Sequence, residues 1–313
     1  MQHGGRIRSF AVGATLLCAC TKEPVSAGIT PKLAQDFGQA RVAESNRSSV
    51  DYRSHVYAQR PTGPLELFVF SPSDRPGRMP SAAVLLFHSG GWTRGRPEWL
   101  FGLAKQFSTL GLVGVPVRYR LSKDGVTPID AIADACSAFR WVREHAAELG
   151  VDPERVAGWG ASAGGQLIAS GATAGCNDQP HAAVSGAANA LVLVSAGVDS
   201  EGSAQFKKLV GDASAVTRHS PLANVRPGVP PMLIVAGSED SVTSLASAEL
   251  FCSKVRAVGS TCELLAFPKR GHLLTRKLDD QRNELDPDPA AEREAYAAEE
   301  RFLRKLGFIP HGS

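Results

Sequence analysis

Val156-Ala157-Gly158-Trp159-Gly160-Ala161-Ser162-Ala163-Gly164-Gly165 is the stretch on which the fold turns. An apolar run at residues 155–159 enters it and a helical stretch at residues 165–172 leaves it, which puts Ser162 at a strand-to-helix corner. A corner that tight admits only glycine or very small residues beside its apex. The serine hydroxyl is then presented at the sheet edge and at a helix N-terminus, where backbone N–H groups lack intrahelical partners and negative charge is favoured. This is the geometry of an activated nucleophile, and it requires a parallel sheet around it.

Working outward, the rest of the chain supplies that sheet. Short apolar or alternating runs fall at residues 52–57, 65–70, 82–87, 114–119, 155–159, 190–195, 232–236 and 262–267. From the third onward most are continuously apolar, as strands buried on both faces must be, and the first two read as an antiparallel leading pair. Helical patterns lie between them. Thr127-Pro128-Ile129-Asp130 offers an N-cap, a proline at the first helical position and a carboxylate at the third. Ile132, Ala135, Cys136, Phe139, Val142, Ala146 and Leu149 then follow at helical spacing, and Gly150 closes the run. Further helices are predicted at residues 247–257 and toward the end, where Ala295, Ala298, Phe302 and Leu306 form one apolar face before Gly307. Strands alternating with helices of this length predict an α/β fold: a mostly parallel central sheet of about eight strands with helices on both faces. The stretch at residues 277–292, dense in Asp, Glu and Arg, reads as a solvated loop and is assigned no function.

Composition bounds what such a fold can do. With 313 residues, 43% hydrophobic and 21% charged, the chain can bury a large core and lies outside the disordered class. A formal charge of +3 with no basic stripe argues against nucleic acid as a partner. The N-terminus reads as an export leader: Arg6 and Arg8 precede an apolar run at residues 10–19 that is too short to span a bilayer. Its end, Leu17-Cys18-Ala19-Cys20, resembles a bacterial lipoprotein signal, which implies cleavage before Cys20 and lipidation of that cysteine. Thr21 in place of an aspartate gives no signal for retention at the inner membrane. The organisation predicted is a leader at 1–19, a tether at 20–48 rich in small and polar residues, and a catalytic domain at 49–313. The location predicted is the cell envelope, lipid-anchored and facing the periplasm, with plain secretion as the alternative. Cys136, Cys176, Cys252 and Cys262 form no C-x-x-C or Cys/His cluster, so no zinc site is expected. Cys252 and Cys262 could pair in an oxidising compartment, and buried free thiols are an equal reading.

A second motif, His88-Ser89-Gly90-Gly91-Trp92, directly follows the run at residues 84–87. Glycines at the end of a strand let backbone N–H groups turn into a pocket, as a developing oxyanion needs. Together the two motifs resemble the hormone-sensitive-lipase-like and bacterial acetyl- or feruloyl-esterase branch of the α/β-hydrolase superfamily. The resemblance runs over roughly residues 60–307. It includes Arg118-Tyr119-Arg120-Leu121, Gly150-Val151-Asp152-Pro153-Glu154-Arg155-Val156, Ser220-Pro221-Leu222, Pro230-Pro231-Met232-Leu233-Ile234-Val235-Ala236-Gly237-Ser238-Glu239-Asp240, and Gly271-His272. It implies an α/β-hydrolase fold, Ser162 as nucleophile, Asp240 as the acid and His272 as the base. It also implies backbone N–H donors from Ala163 and from Gly90 or Gly91. Glu239 is the neighbour most easily confused with Asp240. Ser89 stands where the family has a glycine, so the loop must adopt a backbone that serine tolerates.

The activity implied is that of a serine carboxylesterase acting through a Ser-His-Asp triad and an acyl-enzyme on short-chain esters, acetylated or feruloylated carbohydrate among them, with no metal or organic cofactor. The partner expected is a small-molecule or carbohydrate ester. The alternatives are a serine peptidase of the prolyl-oligopeptidase type and a non-catalytic surface lipoprotein that keeps the fold for binding.

Overall fold

The computed structural model describes residues 1, 52–73, 79–176 and 184–310. The leader, Cys20 and the tether lie outside the described residues beyond Met1.

Eight strands are present among the described residues. β1 (Arg53–Arg60) and β2 (Gly63–Val69) form an antiparallel hairpin. β3 (Ser81–Phe87), β4 (Val113–Pro116), β5 (Val151–Ala161), β6 (Ala190–Val194), β7 (Met232–Gly237) and β8 (Cys262–Phe267) form one sheet in the order β4-β3-β5-β6-β7-β8. Every pair in that sheet is parallel. The expected eight-stranded sheet is therefore a six-stranded parallel sheet plus a hairpin. Two isolated antiparallel bridges, Leu67 to Val117 and Phe70 to Gly114, carry the hairpin onto the β4 edge.

Why the strands read as unbroken apolar runs is clear from their two faces. In β6, Leu191 and Leu193 enter one hydrophobic cluster while Ala190, Val192 and Val194 enter the other. β3 divides the same way, with Ala83, Leu85 and Phe87 opposite Ala82, Val84 and Leu86. The first cluster is closed by the helices Pro128–Glu144, Ala163–Thr173 and Leu245–Ala257 through Phe139, Ile168 and Phe251. The second is closed by Phe101–Thr109 and Pro289–Lys305 through Phe107 and Phe302. Each such side chain taken fully out of water contributes roughly 1.5–3 kcal/mol.

The helix predicted through Leu149 is two pieces, Pro128–Glu144 and Ala146–Leu149, with His145 at φ −103° and ψ 16° between them. Its start is as the sequence suggests: the Asp130 carboxylate accepts from the Thr127 N–H at 2.9 Å. Inside it, Asp134 is fully buried and accepts from Arg60 Nε (2.9 Å) and from Arg120 Nε (2.8 Å) and N (3.1 Å). A buried carboxylate is tolerable only when paired and hydrogen-bonded in this way. The pairing pins the hairpin and the segment after β4 to one helix.

The four cysteines among the described residues are bridged, Cys136 to Cys176 and Cys252 to Cys262. The sequence left the second pair open against free thiols and could not choose the first. With sequence separations of 40 and 10 residues, loop closure in the unfolded chain gives about 4 and about 3 kcal/mol of stabilisation on the chain-entropy account.

Candidate active site

The corner at Ser162 is as sharp as the sequence requires. β5 ends at Ala161, the helix begins at Ala163, and Ser162 between them takes φ 52° and ψ −114°, a conformation L-residues rarely adopt. The surrounding glycines make this possible by close approach. A Cβ on Gly164 would lie 2.2 Å from the Phe87 carbonyl oxygen, and one on Gly160 would lie 2.7 Å from backbone atoms of Gly164 and Gly165. One on Gly165 would lie 2.6 Å from Ala196 Cβ. The Ser162 N–H donates to the Val194 carbonyl at 2.9 Å, which ties the apex to the neighbouring strand.

Two loops at the same end of the sheet bring side chains to the Ser162 hydroxyl. Asp240 follows β7 and His272 follows β8. His272 Nε2 lies 2.9 Å from Ser162 Oγ, and His272 Nδ1 lies 2.9 Å from Asp240 Oδ2. All three residues are buried, Ser162 least so at 8% exposure. Asp240 Oδ1 accepts from the N–H groups of Val242 (2.8 Å) and Thr243 (2.7 Å), and the Thr243 hydroxyl donates to Oδ2 at 2.8 Å. Burial favours the neutral acid, but the His272 charge and the bonds from His272 and Thr243 outweigh it, so the carboxyl is held below its ordinary value. Glu239, by contrast, is exposed. Of the two neighbouring carboxylates, Asp240 faces the imidazole.

The His88–Trp92 loop sits directly on the corner, since Gly164 packs against the carbonyls of both Phe87 and His88. Gly90 and Gly91 carry the positive φ values, 129° and 60°, whereas Ser89 does not fall in that region. The replacement of glycine by Ser89 therefore costs no backbone strain. His88 is buried, stacked on Tyr119 with ring centroids 4.2 Å apart, and accepts at its carbonyl from the Tyr119 hydroxyl at 2.8 Å. Burial pushes its pKa down to about 4, so the ring is neutral at physiological pH, and Nδ1 lies 2.7 Å from the Ser89 carbonyl. Trp92 also has a positive φ, 63°, and is held by its Nε1–H donating to Gln166 Oε1 at 3.1 Å. Among the described residues no backbone acceptor is paired with the N–H groups of Gly90, Gly91 or Ala163. Ala163 is the first residue of its helix, so its N–H has no intrahelical acceptor and the helix field favours an anion there. The arrangement can activate a hydroxyl and receive a negative oxygen next to it.

Several supporting residues escaped the sequence reading. Thr243 left a signal, because Asp-x-x-Thr suits a side chain that caps its own turn. Ser195 left none: it follows β6 with φ 45°, its Oγ accepts from the Leu273 N–H at 3.0 Å, and its carbonyl oxygen lies 3.0 Å from Thr243 Oγ1. Gln166 and Gln281 are buried polar residues, each with hydrogen-bond partners 40 or more residues away in the chain. The segment at residues 277–292 is thus not uniformly solvated.

Comparison with known proteins agrees with this architecture. A family profile described as alpha/beta hydrolase fold matches residues 84–276. Esterase LipI of Mycobacterium tuberculosis is 36% identical over 110 residues, which is 35% of this chain and 34% of that protein, so the chain spans about a third of that relative's length. The propionate-bound esterase Est2 of Thermogutta terrifontis superposes with a TM-score of 0.73 at 30% identity, covering 83% of this chain and 97% of that one. Esterase 2 of the same organism, phosphonylated by sarin, superposes with a TM-score of 0.74 at 28% identity over 85% and 98% of the two chains.

Proposed function

Because the chain belongs to the hormone-sensitive-lipase-like branch of the α/β-hydrolase family, we propose that it is a serine carboxylesterase with Ser162 as nucleophile, His272 as base and Asp240 as the acid. The observation that carries this is the unbroken hydrogen-bonded line from Ser162 Oγ through His272 to Asp240, with both links at 2.9 Å.

His272 Nε2 takes the hydroxyl proton as Ser162 Oγ attacks the ester carbonyl carbon. Asp240 holds the proton on Nδ1 and stabilises the imidazolium that forms. The carbonyl oxygen, now negative, is received by the N–H groups of Ala163 and of Gly90 or Gly91, where loss of one donor costs about 3 kcal/mol. The alkoxide leaves with the proton from Nε2, giving the free alcohol and an acyl-Ser162. Water, deprotonated by the same nitrogen, then attacks the acyl carbon; the bond to Ser162 Oγ breaks, Oγ takes the proton back from Nε2, and the acid is released. No step requires a cofactor.

Small carboxylic esters with short acyl groups are the substrate class, a reading supported by the propionate held by the Thermogutta relative. Acetylated and feruloylated carbohydrates are the first natural esters to test. Hydrolysis of p-nitrophenyl acetate or butyrate, well above that of the palmitate ester, is the expected result of an initial-rate assay. Folded protein that turns over none of them would defeat the proposal.

We also propose that the chain is exported and anchored through a lipid on Cys20. The leader supports this, and so does the pairing of all four remaining cysteines, which suits an oxidising compartment. Cys20→Ser is expected to move the protein from the membrane fraction to the soluble one. Continued partition with the membrane in that variant would contradict the anchor.

A further inference from the structure

Gln281 lies in the charged stretch that reads as solvent-facing, yet it is only 4% exposed. Its carboxamide is fully used. Oε1 accepts from the N–H groups of His272 (2.8 Å) and Ser241 (3.0 Å), and Nε2 donates to the carbonyls of Glu239 (2.8 Å) and Leu278 (3.2 Å). Two acceptor sites and two N–H groups are all that a glutamine side chain has. The orientation of the amide follows from the partners, because two are donors and two are acceptors.

Three of those four partners are His272 itself and the two residues that flank Asp240. The loops they belong to leave adjacent strands whose ladder ends at Gly237 opposite Phe267. Beyond that point Ser238 and Glu239 still reach the carbonyls of Phe267 and Arg270, but not His272. The side chain of Gln281 carries the connection onward to His272. Gly271 leaves room for it: a Cβ there would lie 2.6 Å from the Gln281 carboxamide carbon and oxygen. The next residue extends the same link across the site. Arg282 Nη1 donates to Gln205 Oε1 at 3.0 Å, and Gln205 Nε2 donates to the Gly91 carbonyl at 2.9 Å.

We propose that Gln281 is a positioning residue for the reaction, fixing the Asp240 loop against the His272 backbone so that the imidazole stays in line between Asp240 Oδ2 and Ser162 Oγ. It acts through the triad and touches no substrate, so the inference rests on the esterase reading given above. Its effect therefore belongs in the rate of the chemical step and in the proton affinity of the Asp240–His272 pair, not in substrate binding.

The test is the full-length protein carrying Gln281→Met, which keeps the length of the side chain and removes all four hydrogen bonds. Active sites are counted by fluorophosphonate titration, and kcat, KM and the pH profile of kcat/KM are measured on p-nitrophenyl acetate. The expected result is a fall in kcat per labelled site of roughly 10- to 100-fold with KM unchanged. The pH profile of kcat/KM should change as well, because Asp240 Oδ2 is no longer held in line with the imidazole. Should Gln281→Met fail to fold, Gln281→Glu, which keeps the accepting oxygen but loses the N–H donors to the Glu239 and Leu278 carbonyls, is expected to lower kcat per labelled site with KM unchanged. An unchanged kcat per labelled site and an unchanged pH profile, with only a lower Tm, would make Gln281 a structural brace and overturn the proposal alone. Wild-type protein with no esterase activity would overturn the esterase reading and this proposal with it.

Discussion

Ser162→Ala is expected to lower kcat/KM for p-nitrophenyl acetate by about 10⁴-fold or more, since removing the nucleophile of a triad leaves only what the oxyanion donors and binding provide. The fold should survive. Alanine meets the same backbone requirement at φ 52° as serine does, and the loss is one hydrogen bond to His272. The expected change in stability is no more than about 1 kcal/mol. Initial rates and a thermal melt on the same preparation check both halves. A variant that retained most of the wild-type rate would place the chemistry on another residue.

Asp240→Asn is expected to reduce kcat by about 10⁴-fold with little change in KM, and the reason lies in which oxygen does what. Asp240 Oδ1 accepts two backbone N–H groups, from Val242 and Thr243. The asparagine carbonyl must take that place, which turns its NH₂ toward His272 Nδ1. That donor selects the imidazole tautomer with its proton on Nε2, which cannot accept the proton of Ser162. The variant also removes an acid-sensitive contribution to stability. The Asp240 carboxyl is held below its ordinary value: burial alone would raise it, and the His272 and Thr243 interactions more than offset that. Its stabilisation is therefore present above the ordinary carboxylate range and is lost as pH falls through the lowered value. The stability gap between wild type and Asp240→Asn should narrow toward acid, measured by denaturant unfolding across a pH series. A gap that widened toward acid would reverse the assigned sign.

The parts of this molecule that the sequence disclosed are those fixed by local sterics and periodicity. β3, β6 and β7 are buried on both faces, so nothing polar interrupts them, and their runs stand out. The corner at Ser162 was legible because Gly160, Gly164 and Gly165 each leave no space for a side chain. The separation of the leading hairpin from the six-stranded sheet was not legible, because it depends on whether two strands join by a ladder or by single bridges. The Cys136–Cys176 bridge joins a helix to a segment 40 residues away, a proximity only the packed fold creates. The concern about Ser89 dissolved for a conformational reason: the left-handed positions of the loop fall on Gly90, Gly91 and Trp92 instead. Gln281 was hidden for the opposite reason. It sits among Asp279, Asp280, Arg282 and Glu284, which face solvent, and only the partners of its amide distinguish it.

The central claim is that Ser162 is an activated nucleophile, and covalent labelling tests it without knowledge of the substrate. Protein from residue 21 to 313 is incubated with a fluorophosphonate probe, digested, and the modified residue located by mass spectrometry. The expected result is a single label on Ser162 in wild-type protein and none in His272→Ala. Folded protein that took no label, or took it equally without His272, would mean that the line from Ser162 to Asp240 does not activate the serine, and would turn attention to the fold as a binding surface.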